Sequence, residues 1–361
     1  MRKIPSRSTS LMLASVSCLG LLAVAACGTS SDASADGDSA VNGKTGQASP
    51  NAPTRTDLTV GFVPKQVGTP YFDVADLGGK HAVTGLGSTF EEVGTDDGAD
   101  SAAQASRLNA LIQQDVDAIA VSAQDPKALC PTLRQAGDAD IDVVTYDSDT
   151  DPECRDIFIS PASAEDLAVR QLEELGKQTG YEGEFAILSA ARTATNQNTW
   201  IGYMKHELKD PRYKHMTLVD VAYGDDEAQK SYDEARKLLQ THPKLKGIIS
   251  PTTNGIKAAA KYLSGSRFKG DVKLTGLGAP NDMRQYVKDG TVEAFLLWDP
   301  AKLGELAGRA AIALASGQIT GREGQMFLAG DMGWFEVAAE GVVTLGEPTV
   351  FDATNIDDYD F

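Results

Sequence analysis

Carboxamide side chains are crowded into one short stretch of the sequence, TATNQNTW at 193–200, directly after the apolar run EFAILSA at 184–190. Asn and Gln favour helix caps and turns, so Asn196 alone could be explained as a cap of the following helix. Three carboxamides in succession, with Trp200 close behind, are more than a turn requires. Because an amide carries both donors and an acceptor, it matches a sugar hydroxyl. We therefore interpret Asn196 and Gln197 as contacts to a neutral, hydroxyl-rich ligand.

Side chains suited to the same ligand follow four other apolar runs of the chain. They are Lys65, Phe72, Asp147, Pro251, Thr253, Trp298 and Asp299. A carboxylate can accept from two adjacent hydroxyls, and charge-assisted bonds of this kind contribute about 1.5–3 kcal/mol each. An aromatic ring, from Tyr71, Phe72 or Trp298, can cover the apolar C–H face of a pyranose. Each residue taken singly has an ordinary structural explanation, and only their shared position after strands predicts a binding site.

The neighbours of these residues are predicted to have structural roles. Asp149 and Asp151 belong to the acidic stretch DSDTDPE and are expected to face solvent, while Trp200 and Trp334 are expected to pack in the core or on the surface. No nucleophile elbow, zinc-protease or phosphate-loop motif is present in the sequence. A glycosidase pair formed by Asp147 and Asp299 is conceivable but has no further support. We predict a binding protein without catalytic residues, cofactor or metal.

Apolar runs alternate with helical patterns from residue 57 onward, which indicates βαβ units and parallel sheets. About ten predicted strands exceed one domain of ordinary size, so we predict an α/β fold of two similar three-layer lobes joined by a multi-strand hinge. The first lobe is assigned to 57–160 plus about 299–345, and the second to 161–298 plus about 346–361. Ligands of open α/β sheets bind outside the carboxyl ends of the strands. The predicted site is therefore a cleft between the lobes.

The N-terminus reads as an export signal, with three basic residues before an apolar stretch too short for a good membrane span. Residues 1–26 form the predicted signal peptide, and VAAC, ending at Cys27, resembles a bacterial lipobox. An ordinary signal peptide with a nearby cysteine is the alternative. Residues 27–56 contain almost nothing that could build a core and are predicted to be a flexible tether. This organisation predicts a lipid-anchored protein on the extracytoplasmic face of the cell membrane.

Charge and cysteine content restrict the possible partners. The formal net charge is −18, and removal of the basic leader makes it more negative. Such an acidic protein lacks the basic surface that nucleic-acid binding requires. Cys130 and Cys154 are the only cysteines after the lipobox, and in an oxidising compartment we favour a disulfide over two free thiols. The four histidines are too scattered for a zinc site.

These residues resemble the periplasmic-binding-protein superfamily, in the type I sugar-binding subgroup that includes rhamnose receptors and autoinducer-2 receptors of ABC transporters. The matching stretches are VDAIAVSAQDPKALCPTL, TYDSDTDPECR, FAILSA, ATNQNTWI, YGDDEAQKSYDEA, PTTNGIKAAA, TGLGAPNDM, LWDPAKLG and NIDDYDF. They span nearly the whole chain after residue 57, in family order. The resemblance implies two lobes that close on a ligand, an ABC permease and ATPase as partners, and a monomer.

The resemblance also implies ligand contacts at Lys65, Asp147, Asn196 and Gln197, with Pro251 and Thr253 completing the set. Autoinducer-2 receptors have an acidic residue where this chain has Asn196, and alanine where it has Thr253; both departures look like the rhamnose receptors. TYDSDTDPECR and its cysteine partner look more like the autoinducer-2 receptors. We therefore expect a deoxyhexose such as rhamnose, with autoinducer-2 as the alternative. A sugar-sensing lipoprotein without transport and an anchored glycoside-acting enzyme are less favoured.

Overall fold

The computed structural model describes residues 47–96 and 100–361. The predicted signal peptide, the predicted lipidation site Cys27 and most of the predicted tether lie outside these residues. Within the described part of the chain, no helix combines the length and the apolar character needed to cross a bilayer.

The first lobe is built on a six-stranded parallel sheet. Its strands are β1 (Thr59–Val63), β2 (Thr89–Glu92), β3 (Ala118–Val121), β4 (Asp142–Tyr146), β5 (Ile157–Ser160) and β13 (Val342–Thr344), in the spatial order β13-β5-β4-β3-β1-β2. Its helices are α1 (Pro70–Gly85), α2 (Ser101–Gln113), α3 (Pro126–Asp138) and α9 (Pro300–Ala315). β3 and β4 are buried along their whole length, as expected for strands covered by helices on both faces.

The second lobe contains a four-stranded parallel sheet in the order β7-β6-β8-β9. Its strands are β6 (Glu182–Ser189), β7 (His215–Tyr223), β8 (Leu245–Ser250) and β9 (Lys273–Gly276). Its helices are α4 (Ala164–Thr179), α5 (Thr195–Glu207), α6 (Ala228–Thr241), α7 (Thr253–Ser264) and α8 (Pro280–Lys288). A bridge between Leu277 and Leu296 brings β10 (Ala294–Leu297) beside this sheet, and β10 pairs antiparallel with β14 (Thr349–Asp352).

The chain passes between the two lobes three times, at residues 161–163, 298–299 and 345–348. This arrangement of two parallel-sheet lobes confirms the predicted α/β fold class. A β-hairpin of β11 (Met326–Leu328) and β12 (Trp334–Glu336) was not predicted from the sequence, and neither were β13 and β14. Each strand of the hairpin has three residues, which is too short for an alternating pattern to be recognised.

Close packing of α1 against α9 fixes the positions at which these two helices begin, near the interlobe connection at 298–299. A Cβ atom on Gly78 would lie 2.0 Å from the Ala301 carbonyl oxygen, and one on Gly304 would lie 1.7 Å from the Ala75 carbonyl oxygen. Only glycine allows the two backbones to approach this closely. Since α1 begins just before Tyr71 and α9 begins just after the Trp298–Asp299 connection, the contact sets the relative position of these residues.

Candidate functional site

A cavity lies where strand ends of both lobes meet, and eight of the nine predicted contact residues line it. These eight are Lys65, Phe72, Asp147, Asn196, Gln197, Pro251, Thr253 and Trp298. The remaining wall is formed by Gln66, Thr69, Tyr71, Trp200, Asp226, Thr252, Asn254, Leu277 and Leu297. The cavity is therefore shared by both lobes, as the strand-end argument predicts. That these side chains contact a ligand remains a prediction.

Asp147 follows β4 and is held as an oriented acceptor. Its Oδ1 accepts a hydrogen bond of 2.9 Å from the Tyr71 hydroxyl, and its Oδ2 accepts one of 2.9 Å from the Ser122 hydroxyl. The residue is buried and has a left-handed backbone conformation with φ of 61°, which aspartate tolerates better than most residues. An ionised carboxylate has about four acceptor positions. Two acceptor positions therefore remain after the bonds to Tyr71 and Ser122.

The loop after Asp147 is fixed by a disulfide and an ion pair. Cys154 is bonded to Cys130 of α3, with their Cα atoms 5.3 Å apart. The Arg155 guanidinium is 1% exposed and makes bonds of 2.7 and 2.8 Å to the two carboxylate oxygens of Asp149. The expectation that Asp149 faces solvent is therefore wrong, because a buried arginine requires this carboxylate as its counter-charge. Both constraints hold the loop that carries Asp147.

Lys65 and Asn196 connect the two lobes at the cavity. The Lys65 ammonium, which is nearly buried, lies 3.7 Å from Asp147 Oδ2 and 3.4 Å from Asn196 Oδ1. Asn196 Nδ2 also donates to the Asp147 backbone carbonyl at 3.5 Å. The capping position of α5 belongs to Ala194, but Asn196 Oδ1 also accepts from the Gln197 backbone amide in the first turn at 2.9 Å. Asn196 therefore contacts both the start of its own helix and the first lobe across the cleft.

The other carboxamides of the NQN stretch have different environments. Gln197 is buried on the cavity wall, and its Oε1 atom has no hydrogen-bond partner within the described part of the chain. A buried acceptor left unpaired is costly, so a ligand hydroxyl would satisfy it. Asn198 is exposed and donates to the Arg192 backbone carbonyl. Two of the three carboxamides therefore face the cavity, and the third stabilises the turn.

Aromatic rings form one wall of the cavity. The Trp298 and Trp200 ring centroids are 6.3 Å apart, and the Tyr71 ring packs edge-on against Trp298 at 6.1 Å and against Phe72 at 5.0 Å. Trp298 Nε1 donates to the Tyr71 hydroxyl at 3.0 Å, which leaves the Tyr71 proton for Asp147. Burial, reinforced by the Asp147 carboxylate, raises the pKa of Tyr71 well above its usual value, so this residue stays a donor at neutral pH.

Asp226, which the sequence analysis missed, adds a second carboxylate to the cavity wall. It follows β7 with φ of 55°, accepts a hydrogen bond from the Thr252 hydroxyl, and its backbone carbonyl accepts from Asn254 Nδ2 at 2.9 Å. Burial raises the pKa of Asp226, while Thr252 and Lys65 partly offset that effect. Asp226 could have been predicted from the sequence, because GDD directly follows the apolar run that ends at Tyr223. Residues at the carboxyl end of a parallel strand are expected at the ligand site, and this holds for β7 as well.

Asp299 has a different role from the predicted one. Its Oδ1 accepts hydrogen bonds from the backbone amides of Ala301 and Lys302, at 2.9 and 3.3 Å, so Asp299 is the N-cap of α9. It is not among the residues that line the cavity. The first backbone amides of a helix have no acceptor within the helix, so a carboxylate directly before α9 accepts from them and is less available to a ligand.

The polar side chains on the cavity wall are hydrogen-bond donors and acceptors. Among the described residues, the one cluster with metal-ligand spacing is Cys130, Glu153 and Cys154, and its two sulfur atoms are joined in the disulfide. At the cavity, the Lys65 ammonium lies 3.7 Å from Asp147 Oδ2, and Asp226 on the same cavity wall also interacts electrostatically with Lys65. Two carboxylates facing one lysine disfavour an anionic ligand and suit one that donates several hydroxyl protons.

Comparison with known proteins agrees with this geometry. Residues 60–319 match the family described as periplasmic binding protein domain. A solved structure of a sugar ABC transporter protein from Actinomyces odontolyticus is 45% identical, with a TM-score of 0.69, and the match covers 84% of this chain and 98% of that chain.

Two further solved structures carry ligands. An ABC transporter solute-binding protein from Clostridium phytofermentas with bound L-rhamnose is 36% identical, with a TM-score of 0.81 and coverage of 84% and 98% of the two chains. LsrB from Clostridium saccharobutylicum, in complex with AI-2, is 26% identical, with a TM-score of 0.79 and coverage of 84% and 100%. The resemblance found in the sequence is thereby confirmed. The chain belongs to the periplasmic-binding-protein family and is a solute-binding protein of the sugar ABC transporter type.

Proposed function

We propose that this protein captures one neutral monosaccharide, with L-rhamnose as the favoured ligand, and presents it to an ABC permease. A lipid on Cys27 holds the protein at the extracytoplasmic face of the membrane. The observation that carries the proposal is the shared cavity, in which Lys65 and Asp147 of the first lobe face Asn196 and Gln197 of the second. A ligand bound there contacts both lobes at once and favours their closed arrangement.

The polar groups of the cavity complement a polyol. Asp147 and Asp226 supply acceptors, Lys65 supplies donors, and the unpaired Gln197 Oε1 supplies a further acceptor. A sugar that lacks the matching hydroxyl leaves one of these buried groups without a partner, which is the strongest source of discrimination available to such a site. The ligand is therefore recognised by the positions of its hydroxyls and not by a net charge.

The apolar wall supports a deoxy sugar. Trp200 and Trp298 present ring surface, and Leu277 and Leu297 extend the apolar lining on the side of the second lobe. The methyl group of a deoxy sugar is favourably buried against such a wall, with a contribution of roughly 0.8 kcal/mol for the buried carbon. A hydroxymethyl group there would need a hydrogen-bond partner that aliphatic and aromatic carbon atoms do not provide.

Autoinducer-2 is the second candidate, because the chain matches a solved autoinducer-2 complex over 84% of its length. Two positions weigh against it. Asn196 presents Nδ2 to the Asp147 carbonyl, a contact that an acidic residue could not donate. Thr253 places a hydroxyl and a methyl group on the cavity wall, where autoinducer-2 receptors have the smaller alanine.

Calorimetric titration with a ligand panel tests the proposal. The panel contains L-rhamnose, ribose, arabinose, glucose and autoinducer-2, and the bound sugar is recovered and identified by NMR. We expect the tightest binding for L-rhamnose and its recovery unchanged. Preference for autoinducer-2 would replace the ligand assignment, and a chemically altered sugar would replace the binding role by an enzymatic one. No binding of any monosaccharide would refute the proposal.

A further inference from the structure

The β11–β12 hairpin has an exposed apolar face. Phe327 pairs with Phe335 in the hairpin register, and both rings point towards the core. Met326, Leu328 and Trp334 lie on the opposite face, with exposures of 45%, 54% and 61%, and the exposed Glu336, which pairs with Met326, lies at the edge of the same face. Strand alternation normally places polar residues on a solvated face. We call Met326, Leu328 and Trp334 the hairpin apolar face.

The hairpin apolar face lies beside the place where the described chain begins. The Ser49 amide donates to the Gly317 carbonyl at 2.9 Å, and the Arg55 amide donates to the Ser316 hydroxyl at 3.0 Å, so 49–55 lies along the end of α9. Pro50 and Thr54 share one surface groove with Met326, Leu328 and Trp334. The first described residues of the chain therefore lie next to this face.

The possible occupants of the face differ in how well they fit. Residues 28–46 contain a single large apolar residue, Val41, so this segment has little to bury there. The three side chains also provide far less surface area than a stable protein interface, which buries about 800 Å² on each partner. Tryptophan beside aliphatic side chains instead matches the water–lipid boundary, where an apolar body and a polar N–H are both satisfied.

We propose that the hairpin apolar face contacts the phospholipid membrane surface and holds the first lobe against it. The inference rests on the proposed lipid anchor, because the 22 residue-to-residue steps from Cys27 to Ser49 span at most about 80 Å. A protein tethered within that distance meets the membrane at high effective concentration, so a small apolar contact is sufficient. The strongly acidic chain is repelled by anionic lipids, and the contact is therefore driven by apolar burial.

Tryptophan fluorescence isolates this contact because of where the three tryptophans lie. Trp200 and Trp298 are 3% and 4% exposed, whereas Trp334 is 61% exposed. The product of the full-length gene is extracted from membranes and reconstituted in phosphatidylcholine vesicles, with or without brominated acyl chains that quench nearby indoles. Flotation of the vesicles reports anchoring, and Cys27→Ala is its control. In the Trp334→Phe variant, the part of the fluorescence that comes from Trp334 is lost while the face stays apolar, so the variant shows whether the quenched fluorescence belongs to Trp334.

We expect brominated lipid to quench Trp334 in the anchored protein. Leu328→Ser should lower membrane contact about tenfold, since it removes a large apolar side chain from the buried area. Leu77→Ser is the matched control, because Leu77 is 51% exposed but lies outside the hairpin. Admixture of anionic lipid should reduce the quenching.

Each other outcome overturns a specific statement. A protein that floats with its vesicles while Trp334 stays unquenched refutes the membrane contact and leaves the anchor intact. A protein that does not float refutes the anchor and, with it, this inference, while sugar binding is judged separately by calorimetry. Self-association that Leu328→Ser abolishes, without quenching by lipid, would assign the face to a second copy of the chain and refute the membrane contact.

Discussion

Replacing Asp147 with asparagine is expected to weaken sugar binding about 10- to 150-fold. The change removes the negative charge but keeps the shape of the side chain, and asparagine tolerates the left-handed backbone at this position. One carboxylate oxygen becomes an NH₂ group that faces either the Tyr71 or the Ser122 hydroxyl, both of which are donors in the structure. The acceptor positions that remain for a ligand are therefore reduced, and the remaining acceptor is uncharged.

The magnitude follows from the bonds that a ligand would lose. A hydrogen bond to a charged acceptor contributes about 1.5–3 kcal/mol, and about 1.4 kcal/mol corresponds to a tenfold change in Kd. The Lys65 ammonium also loses its partner at 3.7 Å, although Asp226 still interacts with it. The fold should persist, because the carboxamide oxygen of the variant would keep one of the two hydrogen bonds that Asp147 accepts.

Isothermal titration of the wild type, Asp147→Asn and Asp299→Asn provides the assay, with thermal unfolding as the check on folding. Asp299→Asn is the matched control: it removes the same charge from a predicted contact residue that caps α9 and does not line the cavity. Asparagine caps a helix as well as aspartate does, so affinity and stability should both be retained. Wild-type affinity in Asp147→Asn, or an equal loss in Asp299→Asn, would refute the site geometry.

Two further predictions concern Asp226 and Asp76, two carboxyl groups whose pKa is raised by burial. Asp226→Asn should weaken sugar binding about tenfold by removing one charge-assisted acceptor. Because burial raises the pKa of Asp226, the affinity of the wild type should fall on acidification at a pH above that at which an ordinary aspartate titrates. Calorimetric titrations at several pH values should show a flatter pH profile of affinity for the variant. Burial also raises the pKa of Asp76 from 3.8 to about 8, so the folded state binds the proton more tightly than the unfolded state and loses stability as pH rises from about 4 to about 8. Asp76→Asn should therefore be more stable than the wild type at pH 9, by an amount on the order of a few kcal/mol that shrinks towards pH 5. The asparagine can still accept the hydrogen bond from the Tyr146 hydroxyl. Equal urea-unfolding midpoints for the variant and the wild type at both pH values would contradict this.

The sequence by itself determined the repeating βαβ order and eight of the seventeen residues that line the cavity. Strand and helix periodicities are local, and a parallel sheet brings the carboxyl ends of its strands to one edge, so residues that follow strands meet there. Lys65, Asp147 and Gln197 could be identified on that basis, and Asp226 could have been identified by applying the same rule to β7.

Only the tertiary structure decided which partner each of these side chains takes. The hydrogen bond between Tyr71 and Trp298 joins residues 227 positions apart, and no pattern along the chain specifies it. Asp299 and Asp149 also follow strands, yet the free amides of α9 bind the first and the buried Arg155 binds the second. The donors that hold Asp299 and Asp149 are close to them in the chain, whereas Tyr71 meets Asp147 and Trp298 only because packing brings distant elements together. Such a long-range contact is decided by the tertiary structure, since a polar group buried there must find its partner among the side chains that packing places around it.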